Sequence, residues 1–162
     1  RPCSIEVAMQ PNPTTTVPAL SAAEISDLRC VAAMMIPASD EYHVPGADDD
    51  VIFADILASL GRDLGDVRHA LATLRRLAGG AFADLDAAQR EAAADEFRSI
   101  GGTSAAALSR VILQCYYRDD RVVRSLGLEP RPPFPKGHTL EQGDWSLLDP
   151  VRVRPKMWRD AP

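Results

Sequence analysis

The chain is short of positive charge: 18 lysines and arginines face 23 acidic residues, leaving −5 at neutral pH. A nucleic-acid partner is disfavoured, because a phosphate backbone demands a basic face. Long apolar runs are missing too. A membrane span needs about 18 consecutive apolar residues, and the longest candidate, Val31-Ala-Ala-Met-Met-Ile36, stops at Pro37. Histidine and cysteine number only three each. His43, His69 and His138 stand far apart without a cysteine or carboxylate at ligand spacing, so no metal site is encoded locally. His69, near Arg68, Arg75 and Arg76, reads as a solvated helix face, and His138 as a surface loop residue. The odd cysteine count suits a reduced chain, with one disulfide plus a free thiol as the alternative. Cys115 falls on an apolar helical stripe, where a buried thiol is inert, and Cys30 reads the same way.

Motifs for chemistry are equally scarce. There is no Gly-x-Ser-x-Gly, no His-Glu-x-x-His and no cysteine with a histidine relay. Gly79-Gly80 and Gly101-Gly102 lack the strand–turn–helix setting of phosphate loops and read as helix stops. Asp48-Asp49-Asp50 lacks calcium-loop spacing and instead places negative charge at a helix start. No catalytic, cofactor-binding or metal-ligating residue is assigned. The segment before the first helix has no twin-arginine, apolar core or A-x-A site. That favours a cytoplasmic location, while a processed chain would fit the periplasm.

What the sequence does have is helical punctuation. Residues 1–20, with Pro11, Pro13 and Pro18, read as an extended N-terminal arm. Ser21-Ala-Ala-Glu24 is a capping box. Ile25, Leu28, Ala32, Met35 and Ile36 follow at helical spacing, and Pro37 ends the run. After a loop holding Val44-Pro45-Gly46, a second helix is expected over Val51–Leu60 and a third over Gly65–Ala78, ending at Gly79-Gly80. Asp86-Ala-Ala-Gln89 caps a fourth, reaching about Ile100. A fifth starts at Ser104 and buries Leu108, Val111, Ile112 and Cys115. A short sixth covers Asp120–Leu126. With no alternating strand pattern, residues 21–127 read as an all-α domain, a small bundle of about six helices.

Residues 128–162 read as an extended, Pro-rich C-terminal tail. Prolines at 130, 132, 133, 135, 150 and 155 exclude a long helix or central strand. Yet the tail carries Phe134, Trp145, Leu147, Leu148, Met157 and Trp158, which a solvated linker would lack. Val151 to Arg159 alternates apolar and basic residues, either as an edge strand for a partner or as a basic tail for an acidic surface. The plainer alternative is a disordered terminus. Fully extended, about 35 residues reach about 100 Å. Tyr116, Tyr117, Phe134, Trp145, Trp158 and Arg159 are the expected partner-interface anchors, and Trp and Arg are typical hot-spot types.

The ordering of Leu28 to Ile36-Pro37-Ala38, Pro45-Gly46-Ala47, Cys115-Tyr-Tyr-Arg-Asp119 and Leu126-Gly127 resembles the gluconate 2-dehydrogenase subunit 3 family over most of residues 20–135. These are the small, or gamma, subunits of FAD-dependent dehydrogenase complexes of the glucose-methanol-choline (GMC) type. The resemblance implies a noncatalytic subunit that binds, stabilises and chaperones a large flavoprotein oxidising a sugar or other alcohol. It also implies an obligate heteromer, with FAD in the partner and no cofactor in this chain. Many members export their partner through a twin-arginine signal, which this sequence does not show. The rival expectation is a stand-alone helical enzyme or ligand-binding domain whose tail folds over its own pocket. A third is a regulatory adaptor for transient partners. Deleting residues 128–162 should leave a folded helical domain that no longer holds its partner, while an enzyme would be soluble and active alone and an adaptor would bind only transiently.

Overall fold

The computed structural model describes residues 19–132, 134–137, 139, 141–156 and 159. Among them are seven α-helices and no strand, apart from one isolated bridge between Ser39 and Val44. The helices are α1 Ala22–Met35, α2 Asp50–Ser59, α3 Leu64–Ala78, α4 Ala87–Ile100, α5 Gly102–Arg118, α6 Asp120–Ser125 and α7 Asp149–Arg152. The all-α bundle is as expected. The chain divides into two units, Arg1–Pro130 and Arg131–Pro162, which are described separately.

In the first unit, local chemistry sets the helix ends. Ser21 and Glu24 form the full capping box, with the Ser21 amide donating to Glu24 Oε2 at 2.7 Å. Asp86 and Gln89 form another. α2 starts one residue before the expected Val51 because Asp49 is its N-cap: the carboxylate accepts the Val51 and Ile52 amides. Gly79 closes α3 in the left-handed conformation (φ 68°), where a Cβ would be strained. α5 begins at Gly102 rather than Ser104. Gly101, at φ 63°, ends α4 and starts α5 with no intervening loop.

α3 lies at the centre, against α1, α4 and α5, while α2 and α6 pack on α5. Its stripe Val67, Ala70, Leu71 and Leu74 is buried. Phe53 and Ile56 of α2, Leu108 and Ile112 of α5, and Phe82 of a 3-10 turn (Phe82–Asp84) complete the core. The loop after α1 is also packed. The Ala47 amide donates to Ile36 O at 2.9 Å, Ala47 is fully buried, and a Cβ on Gly46 would stand 2.9 Å from the Ala38 nitrogen. Only glycine fits there.

The second unit carries a short helical stretch within the expected extended tail. Trp145–Leu148 is a 3-10 turn running into α7. The Asp144 carboxylate accepts the Ser146 amide at 3.0 Å and its hydroxyl at 2.6 Å, which caps the turn. Pro150 sits in the first turn of α7, where its missing N–H costs nothing. The edge-strand reading of Val151 onward is corrected by the same residues, since Asp149–Arg152 is helical.

Candidate partner interface

The expected anchors fall into distinct environments. Tyr116 is 4% exposed and belongs to the core, which corrects its assignment as an interface anchor. The stripe Leu108, Ile112 of α5 continues four residues on to Tyr116, so the ring turns inward. Burial, followed by the neighbouring Tyr117 and Asp119, pushes its phenol pKa up. Tyr117, about 100° further round the helix, is 55% exposed and meets the Tyr116 ring edge-on at 5.2 Å. It is a rigidly backed aromatic on an open surface.

In the second unit Phe134 is 84% exposed and Trp145 60%. Leu147, Val151 and Val153 are exposed beside them in sequence, and so is Arg159. The 3-10 turn and α7 thus hold apolar side chains in fixed spacing while leaving them uncovered. Trp158 lies outside the described residues, as do Met157 and His138.

Near Tyr117, charge locks α2 to α5 and α6. Arg118 forks onto Asp55 with two contacts of 2.5 Å and also donates to the Ser59 hydroxyl. Bidentate pairing of this kind fixes geometry as well as adding energy. Arg121 bridges Asp49 (2.6 Å) and Asp119 (3.0 Å). The Arg121 hydrogen bonds are the largest cause holding both carboxyls below their usual range. Cys115 sits beneath, its thiol pushed up by burial. A raised thiol pKa leaves little thiolate, so the buried cysteine is a packing group.

Sequence reasoning did not find a further surface. A cavity of about 600 Å³ opens between α1, α4 and α5, walled by Val31, Met34, Leu74, Phe82, Phe97 and Leu108. Met35, which follows the helical spacing of Ile25, Leu28 and Ala32, is 37% exposed on this wall. The signal was the alanine run of α4 (Ala87, Ala88, Ala92, Ala93, Ala94), of which only Ala93 is buried. Small side chains there leave the space unfilled.

His43 and His69 are exposed and lie on separate elements. Among the described residues no group of three His, Cys, Asp or Glu side chains is placed to hold a metal ion, and no helix is long and apolar enough to cross a membrane. Compared with known proteins, the chain matches no family model, no curated sequence and no solved structure.

Proposed function

We propose that this chain is a noncatalytic small subunit that binds and stabilises a large FAD-dependent catalytic chain of the GMC dehydrogenase type. One observation carries the binding half of this reading. Residues 131–156 present an ordered series of large apolar side chains, Phe134, Trp145, Leu147 and Val151 among them, that are more than half exposed. Solvent-facing apolar groups in series mark interaction sites, and aromatic residues dominate interface energetics. The helical body meanwhile buries a core of its own. The flavoprotein half rests on the resemblance of residues 20–135. In this assignment FAD belongs to the partner, and the obligate interface buries on the order of 2,000 Å² or more.

Native purification through a tag on this chain, with intact mass and a visible spectrum, tests both halves. A second, larger chain with flavin absorption is the expected result. A colourless, stable, active monomer would overturn the assignment and support a stand-alone domain. Recovery of a large partner without flavin would keep the subunit role and remove the flavoprotein identity.

A further inference from the structure

The cavity between α1, α4 and α5 holds a charge that its surroundings do not balance. Arg90 lines it and is half-buried; its Nε donates to Leu85 O at 2.8 Å. Among the described residues no carboxylate stands within ion-pair distance of its guanidinium. Elsewhere in the helical body partly buried arginines are paired: Arg68 with Glu24, Arg75 with Asp27, Arg110 with Asp63. A cation drawn out of water without a counterion is costly. An arginine fork presents donors in the geometry of a carboxylate.

The remaining polar groups around the cavity narrow the ligand's charge. Glu91 is exposed at the rim, and Arg98 is already paired with Asp95. Cys30 stands beside Arg90; burial pushes its thiol up, the guanidinium draws it down, and the carboxylate of Asp27, itself paired with Arg75, pushes it up again. One unbalanced positive charge next to a rim carboxylate suits a monoanion better than a dianionic phosphate. Apart from the Ser109 hydroxyl the rest of the wall is apolar, and about 600 Å³ lies within the ordinary range for small-molecule sites.

We propose that this cavity binds an amphiphilic monocarboxylate of the fatty-acid class, its hydrocarbon against Val31, Met34, Phe82 and Phe97 and its carboxylate on Arg90. The site lies wholly within the helical body and stands independently of the flavoprotein assignment.

The test is titration of the full chain with decanoate and with decan-1-ol, below the micellar range, followed by calorimetry and by the methyl NMR signals of Met34 and Met35. The expected result is one-to-one decanoate binding that shifts both methionine signals, with the alcohol at least tenfold weaker. Arg90→Gln is expected to abolish that preference, and Arg90→Lys to retain part of it. Equal binding of acid and alcohol by the unmodified chain overturns the proposal, as does no binding, or shifts confined to other methyl groups. Equal apolar binding or none is also what a seat for a partner protein would give. The comparison on the unmodified chain decides even if Arg90→Gln fails to fold.

Discussion

Asp27 and Arg75 form an ion pair of which only one member meets water: the carboxylate is fully enclosed, the guanidinium is 36% exposed, and Nε lies 3.2 Å from Oδ2. The N–H direction misses that oxygen, which has no hydrogen bond, so charge alone holds this contact. Oδ1 accepts the Ala83 amide at 2.9 Å. One carboxylate therefore ties α1 to α3 and to the turn that buries Phe82.

Removing Arg75 leaves an enclosed carboxylate without its counter-charge, whereas removing Asp27 leaves the Ala83 amide without its acceptor. Asp27→Ala is expected to cost about 1 to 3 kcal/mol, since the Arg75 left behind meets water while the Ala83 amide loses its acceptor. Asp27→Asn keeps an acceptor for the Ala83 amide and should cost less than Asp27→Ala. Urea unfolding followed by circular dichroism measures both. A loss below about 1 kcal/mol for Asp27→Ala would show that this carboxylate does not staple the helices.

Core and interface should separate cleanly by mutation. Leu71→Ala, at a fully buried position, is expected to destabilise by about 2 to 5 kcal/mol through lost burial and a residual cavity. Trp145→Ala, at a position 60% exposed, should shift stability by no more than about 0.5 kcal/mol while weakening partner capture. Thermal melts and co-purification of both variants check this. A large stability loss for Trp145→Ala would place that ring in a fold contact instead.

The helical body was legible because its signals are local. Ser21/Glu24 and Asp86/Gln89 cap, Gly79 stops, and the stripe from Val67 to Leu74 points one way at any stage of folding. Tyr116 was misjudged because its position is decided by register on α5, where one residue of difference separates a core ring from the exposed Tyr117. The α1–α4–α5 cavity was invisible for a related reason. Alanines in α4 read as good helix formers, and only the packing of α4 on α3 shows that they leave a space with Arg90 in its wall. In the tail, counting prolines missed that Pro150 falls in a first helical turn, where proline is welcome.

Among the described residues every fully buried large side chain, from Leu28 to Val122, lies in the unit Arg1–Pro130. A chain ending at Pro130 should therefore retain helical circular dichroism and a cooperative melt within a few degrees of the full chain, and lose its partner. Loss of cooperative melting on truncation would assign residues 131–162 a part in the fold.

Arg121 makes stability depend on pH in a defined direction. Its hydrogen bonds are the first cause holding Asp49 and Asp119 below the carboxylate value of 3.8. In the acid range the unfolded chain then binds more protons than the folded one, so stability rises with pH. The contribution is complete above the unfolded value and disappears as pH falls through the lowered folded values. All three side chains retain some exposure, so each pair is worth only about 0.2 to 1 kcal/mol. Arg121→Gln leaves the Asp49 cap bonds to Val51 and Ile52 in place and removes the charge. The expected outcome is a smaller stability at pH 6, a shallower loss between pH 5 and pH 2 (roughly the window over which such carboxylates titrate), and near-coincidence with the unmodified protein at the acid end. Urea midpoints across that range, with carboxyl-carbon NMR titration of Asp49 and Asp119, measure it. Parallel pH curves for the two proteins would rule out this bridge as the source of acid sensitivity.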